Sequence, residues 1–466
     1  MVTRTVAALE RARRSALAAL IAIAVLAIAT PAAHAQASAL PRPPATSAPV
    51  ASAWDSAEGR GRVVDAVVAL FAAEYHVPEQ RDWVSWGAEY REAAAVANGR
   101  AAFDAVMARM LRSLADGHSS WLGRAAATPA PVRRSSNEAE PVRLGVQLAY
   151  VVDRGLVVER VYPSTPADRA GLRRADVITA VGGLDLRGSG SLFAANAALA
   201  DALSAGPAVL TIERGRVRFD LDVVGTAVDF DAVAARPYAA LLDDGVGYLH
   251  VPTFNADDVA ADVHAAVRGL VASGVRALVL DLRGNLGGRV LEAGLTFAAF
   301  GDGTWSVAIA RGEEAWRATA GIEAAGGGSV AVSRLRDADG TSFGVQRLAD
   351  PVRFDGPVVV LVGSENASAA EVLAAALVEG IGARVVGERT SGNVEAVRAF
   401  DLPDGSRVLV AIADLRSPSG ASLVGGVTPD VVARADVRDL ARGVDPPVAE
   451  ARRLLGALPF TPGTYF

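Results

Sequence analysis

The sequence predicts a multidomain α/β protein: a helical N-terminal segment, a small β-rich domain, and a larger core of alternating strands and helices. Three observations predict it. At 466 residues the chain exceeds what one ordinary hydrophobic core supports. Hydrophobic residues make up 51% and charged residues 21%, the balance of a folded rather than a disordered chain. The apolar pattern also changes along the chain, from helical spacing to short β-type runs and then to alternation of the two.

The N-terminus reads as a secretory signal peptide over residues 1–35. Arg11, Arg13 and Arg14 precede an apolar run from Ala16 to Ala29, and Ala33-His34-Ala35 offers a small-x-small cleavage site. The run is short for a membrane span, which needs about 20 apolar residues. The reading is therefore an exported, periplasmic or secreted protein that starts near Gln36 and has no integral span after cleavage. An uncleaved N-terminal anchor is the alternative. The chain has no cysteine, which excludes a lipoprotein anchor, disulfides, thiolate metal sites and a cysteine nucleophile. A net charge of −6 gives no basic face for nucleic acid.

Residues 36–53 are rich in Pro, Ala and Ser and read as a flexible linker. Residues 54–125 read as a helical domain. Val63, Val67, Leu70 and Phe71 recur at helical spacing, as do Phe103, Val106, Met110, Leu111 and Leu114, and the helical pattern runs to about Trp121. Residues 126–141 are a second Pro/Ala/Ser-rich linker. The β-rich domain, residues 142–228, has strand-like runs at Leu144–Tyr150, Leu156–Tyr162, Val177–Val181 and Val209–Glu213, with a helix around Leu192–Leu203.

In the core, residues 236–436, strands are predicted at Val246–Val251, Val275–Leu280 and Val358–Val362. Helices are predicted at Ala256–Ser273, Arg289–Phe300 and Ser368–Glu379. Continuous apolar strands between helices imply a sheet covered on both faces. The tail, residues 437–466, carries no pattern that assigns it a role, and the chain has no internal repeat.

The β-rich domain combines Leu144-Gly145-Val146, the run Pro166 to Leu172 (Pro-Ala-Asp-Arg-Ala-Gly-Leu), Asp176-Val177-Ile178 and Val181-Gly182-Gly183. A glycine at 145 lets backbone N–H groups converge on a carboxylate beside a strand edge that can pair with an extended peptide. The combination resembles a PDZ domain of the bacterial protease type. The resemblance implies capture of protein or peptide substrates by their apolar C-termini, with Leu144, Gly145 and Val146 as the carboxylate loop. A β domain that only packs against the core is the alternative.

Three strings carry the chemistry. Asp281-Leu282-Arg283-Gly284-Asn285-Leu286-Gly287-Gly288 follows a strand, and a Gly-rich turn there presents free N–H groups to an oxyanion or a phosphate. Gly363-Ser364-Glu365-Asn366-Ala367-Ser368-Ala369-Ala370-Glu371 joins a strand to a helix, whose first N–H groups favour developing negative charge. Leu114-Ala115-Asp116-Gly117-His118-Ser119-Ser120 closes the helical segment. Together they closely resemble the C-terminal processing (tail-specific) serine peptidases and the related tricorn protease, over about Trp54 to Asp430.

That resemblance implies a crotonase-like (ClpP/crotonase) peptidase core and a serine endopeptidase with no cofactor and no metal. Ser368 takes the nucleophile position, three residues before Glu371. Ser364 is a rival by composition only, and an N-cap role is the plain alternative for Ser368. Gly287 or Gly288, with Ala369, would form the oxyanion hole.

The common branch of the family uses a lysine as base, but Thr390-Ser391-Gly392-Asn393 places Asn393 at that position. Asparagine cannot take a proton. The tricorn-like branch uses a histidine, and His118 matches it. Among the other histidines, His34 lies in the signal peptide, His76 and His264 read as helical, and His250 reads as part of a strand.

The tricorn-like branch also places a histidine-orienting Glu just before a string that reads here Gly426-Val427-Thr428-Pro429-Asp430, but the position holds Leu423. Asp116 and Asn393 are the nearest substitutes, and a dyad without a fixed third group is a weaker base. Weak activity is therefore expected. Two other functions stay open: a degenerate relative that binds peptide tails without cutting them, and a crotonase-type acyl hydrolase acting on thioesters.

Overall fold

The computed structural model describes residues 56–124, 142–242 and 245–456. The expected signal peptide and both expected linkers lie outside them. Helices α1 (Ala57–Glu74), α2 (Trp83–Ala95) and α3 (Arg100–Arg112) open the described chain. Ser56 and Asp82 accept the first N–H groups of α1 and α2, which have no carbonyl partner within the helix.

Val63, Val67, Phe71, Trp86, Phe103, Met107 and Met110 bury the apolar faces of this cap. The cap's helices pack on one another and on Leu402, Val408 and Val410 of the core in one apolar cluster. The helical reading up to Trp121 is corrected here. The helix stops at Arg112, and Ser120–Arg124 is strand β1, recruited to an open edge of the core. Tertiary pairing overrides the local pattern. His76, read as helical, lies just past α1, where its N–H donates to Ala411 O at 3.1 Å.

The β-rich domain is a sheet of β2 (Val146–Val151), β3 (Gly155–Val161), β4 (Val177–Val181), β5 (Ala208–Arg214) and β6 (Val217–Val223), paired in that order. Helix α4 (Leu192–Ala205) contributes Ala195, Leu199 and Leu203 to its core.

The core has two sheets. The first runs β7 (Tyr238–Leu241), β8 (Val246–His250), β9 (Ala277–Asp281), β14 (Val358–Val362), β15 (Arg384–Gly387) and β18 (Val431–Val432). It is parallel from β8 to β18.

The second sheet is antiparallel and was not anticipated. It comprises β10 (Gly303–Ala310), β11 (Glu313–Ala325), β12 (Gly328–Asp337), β13 (Ser342–Ala349), β16 (Glu395–Asp401) and β17 (Ser406–Arg416), and it takes in β1. Helices α5 (Val259–Ala272), α6 (Val290–Ala298) and α7 (Ala369–Ile381) fill the space between the sheets.

Alternate residues of β14 show how both faces of the parallel sheet are covered. Val358, Val360 and Val362 point into the interior shared with α5 to α7. Val359 and Leu361 meet Val448 and Ala451 of α9 (Pro446–Leu454) on the other face. Each such fully buried side chain contributes roughly 1.5–3 kcal/mol.

The tail that the sequence left unread is therefore structural. Helix α8 (Val437–Leu440) packs Leu440 against Val157 and Val177 of the β-rich domain, while α9 covers the core. Among the described residues no helix is long and apolar enough to cross a membrane.

Candidate active site

Ser368 stands where β14 hands over to α7. Its backbone has φ 54° and ψ −128°, a left-handed conformation that a residue with a Cβ rarely adopts. Hydrogen bonds hold it there. The Ser368 N–H donates to Asn393 O at 2.6 Å and lies 3.2 Å from Glu371 Oε2.

The Gly-rich turn after β9 lies against this residue. Asn285 is fully buried and accepts the Gly287 N–H through Oδ1 at 2.8 Å, while Asn366 Nδ2 donates to Asn285 O at 3.0 Å. Two buried amides thus tie the turn to the loop that carries Ser368. Gly287 has φ 91°, and a Cβ there would lie 2.8 Å from Ser368 Cβ and 2.9 Å from Ala367 O. Gly288 instead abuts the backbone of Phe254 and Asn255. Because the Gly287 N–H is bound to Asn285, Gly288 is the better placed of the two to offer a free donor.

His118 comes from the loop between α3 and β1. Asp116 Oδ1 accepts the N–H groups of His118 (3.0 Å) and Ser119 (2.8 Å), so it shapes the backbone and leaves the ring to another partner. That partner is Glu395, at the start of β16, whose Oε2 lies 2.8 Å from His118 Nδ1. Both side chains are largely buried, at 12% and 15% exposure.

Asn393, with its amide nitrogen turned inward, lies 2.9 Å from His118 Nδ1 and donates to Glu395 Oε2 at 3.0 Å and to Asp116 O at 3.1 Å. Of the two residues expected beside the His118 ring, Asp116 contacts the backbone of His118 instead, whereas Asn393 reaches both the ring and Glu395. Leu423, at the position where an orienting Glu was sought, is packed into the apolar core. Glu395 was missed, yet a signal existed. In an extended strand residues 393 and 395 point to one side, so a carboxylate two positions past the lysine site was worth testing.

Residues 245–433 match the profile of peptidase family S41, and residues 157–214 match that of a PDZ domain. The core belongs to peptidase family S41. The chain is 32% identical to a chloroplastic C-terminal processing peptidase of Tetradesmus obliquus over 303 residues, which is 62% of this chain and 59% of that protein. It is 30% identical to the chloroplastic carboxyl-terminal-processing peptidase 2 of Arabidopsis thaliana over 308 residues, 64% of this chain and 54% of that one. It therefore spans less than two thirds of either relative. A solved structure titled as an S41 protease of Bacteroides fragilis shares the fold, with a TM-score of 0.50, 16% identity, and coverage of 84% of this chain and 97% of that one.

In the S41 core, the turn that approaches Ser368 is also wired to the PDZ domain. Burial alone would raise the Asp281 carboxyl, but Arg283 beside it holds it well below the usual carboxylate range. Arg283 also bonds Asp445 Oδ1 at 2.9 Å, and Arg174 of the PDZ domain bonds Asp445 Oδ2 at 2.7 Å. His250 lies buried beneath this network, and burial pushes its imidazole down to about 3, so it stays neutral at physiological pH.

The PDZ groove is a cavity of about 380 Å³ between β2 and α4, lined by Leu144, Gly145, Val146, Leu148, Leu199 and Leu203, with Phe193 85% exposed at its mouth. Gly145 has φ 79°, and a Cβ there would lie 2.3 Å from Thr165, so no other residue fits without movement.

Proposed function

We propose that this chain is an exported serine peptidase in which Ser368 is the nucleophile, His118 the general base and Glu395 the group that holds the base. The observation that carries it is the 2.8 Å contact between His118 Nδ1 and Glu395. It supplies the third group whose apparent absence argued for weak activity. A carboxylate on Nδ1 keeps the proton on that nitrogen and leaves Nε2 free to accept one.

In the proposed reaction Ser368 Oγ attacks the peptide carbonyl carbon as its proton passes to His118 Nε2. The N–H groups of Gly288 and Ala369 hold the oxyanion, each donor contributing about 2.7–4 kcal/mol in such sites. His118 then gives the proton to the departing amine, leaving an acyl-Ser368. A water, deprotonated by His118, attacks the acyl carbon and restores the serine.

The PDZ groove presents the substrate. Its aliphatic walls suit an apolar C-terminal side chain, and Gly145 leaves room for the terminal carboxylate. Export rests on residues 1–35 of the sequence.

A fluorophosphonate probe tests the chemistry without knowledge of the substrate. Wild type is expected to label stoichiometrically and Ser368→Ala not at all. If wild type stays unlabelled, even with an apolar C-terminal peptide in the PDZ groove, the reading as a tail-binding protein replaces this one. Gly287→Ala is expected to lower the labelling rate about 10²-fold, since displacing a reacting group by about 1 Å has that effect. Unchanged labelling would mean that the contact between the turn and Ser368 does not position the nucleophile.

A further inference from the structure

We propose that Glu371 is a positioning residue for the nucleophile: its buried carboxylate binds Ser368 to the loop 390–393 and so sets Ser368 against the His118–Glu395 pair. This rests on the reading of Ser368 and His118 given above and adds a group that touches neither substrate nor reacting atoms.

The side chain lies in the first turn of α7 and is fully buried. Its Oε1 accepts the Gly392 N–H at 2.7 Å and the Thr390 hydroxyl. Its Oε2 accepts the Asn393 N–H at 3.0 Å and the Ser368 N–H at 3.2 Å, while the Ser391 hydroxyl gives its one proton to Asn366 O at 2.7 Å. Four donors converge on one carboxylate, and all belong either to Ser368 or to the loop that ends in Asn393.

That loop leads to the base. Asn393 returns its carbonyl to the Ser368 N–H and sends its amide to Glu395 and Asp116. A connected path therefore runs from Ser368 through Glu371 and Asn393 to Glu395 and His118. A helix cap would need only the bond from Glu371 to the Ser368 N–H. The three bonds to residues 390–393 are surplus to capping and are accounted for by alignment of the two halves of the site.

The local chemistry requires a carboxylate. Its two oxygens offer about four lone-pair sites and no donor, so all four donors can be accommodated. Burial raises this carboxyl above its usual range, and the surrounding hydrogen bonds oppose that rise without a cationic partner. A glutamine would turn an NH2 toward donors and leave buried N–H groups without acceptors, so Ser368 or the loop would have to move.

The test compares Glu371→Gln with Glu292→Gln in the full chain. Glu292 is a second buried glutamate, on α6, accepting from Ala260 N–H and Gln346. It controls for the general effect of removing a buried carboxylate. Glu371→Gln is expected to lower kcat and the fluorophosphonate labelling rate about 10²-fold, with KM and the affinity of the PDZ groove for an apolar C-terminal peptide within about twofold. Glu292→Gln is expected to leave the labelling rate of the folded protein unchanged. Glu371→Gln is also expected to shift the His118 ring resonances in the NMR spectrum.

Should Glu371→Gln not fold, Thr390→Val, which removes the hydroxyl donated to Glu371 Oε1, is expected to lower the labelling rate several-fold. Labelling of Glu371→Gln within threefold of wild type, an equal loss in Glu292→Gln, or unmoved His118 resonances would each overturn the proposal. Failure of wild type to label would count against the Ser368–His118 chemistry, while the His118 resonances would still decide the positioning role.

Discussion

His118→Ala is expected to lower kcat by about 10⁴- to 10⁶-fold, the range seen when a serine peptidase loses its base. Residual activity would come from the oxyanion donors and substrate binding alone. Glu395→Gln is expected to lower kcat by about 10⁴-fold, because an amide that donates to Nδ1 stabilises the tautomer with its proton on Nε2. That nitrogen then cannot take the serine proton.

Asp116→Asn separates the two carboxylates near His118. Asp116 Oδ1 receives only backbone N–H groups from His118 and Ser119, and an amide oxygen can receive them too. The loss is expected to be far smaller than in Glu395→Gln. The measurement is kcat on one peptide for all three variants. Equal losses in Asp116→Asn and Glu395→Gln would remove the distinction between backbone shaping and ring orientation.

Asp445→Ala is expected to destabilise the protein by about 3–5 kcal/mol, as removal of one partner from a buried ion pair leaves the other charge uncompensated. Asp445 is buried at 3% exposure and accepts from both Arg283 and Arg174. Arg283 would keep Asp281, but Arg174 would lose its carboxylate partner. The check is a urea titration followed by tryptophan fluorescence. A midpoint unchanged from wild type would mean that water replaces the carboxylate without loss. The effect is expected to reach the PDZ domain, since Arg174 is its contribution to the network.

Much of the fold was legible because it is written locally. The run Val358–Val362 is a continuous apolar strand, and the helix after Ser368 follows at once, so β14 and α7 were predicted nearly to the residue. Ser368 and His118 were reached through short strings around them.

What was missed depends on partners far away in sequence. Trp121 joins a strand because β17 offers it an edge, which no local pattern reveals. Strands β11 to β13 are mostly exposed or half-buried, with a few buried positions in β11 and β12 and none in β13, and carry no continuous apolar run. Helix α9 has few apolar residues, and Val448 and Ala451 acquire meaning only against the outer face of the parallel sheet. Glu395 was missed for a related reason: its role is defined by a histidine 277 residues earlier.

That separation has a consequence for the order of synthesis. His118, the proposed base, leaves the ribosome early, while Glu395, proposed to orient it, and residues 390–393, proposed to align Ser368, emerge near the end. A nascent chain folding from its N-terminus therefore carries an unaligned histidine and no serine partner through most of translation. The cap completes its apolar cluster only when Leu402, Val408 and Val410 arrive. On the proposed reading, the site stays unassembled through most of synthesis because of the order of its residues along the chain.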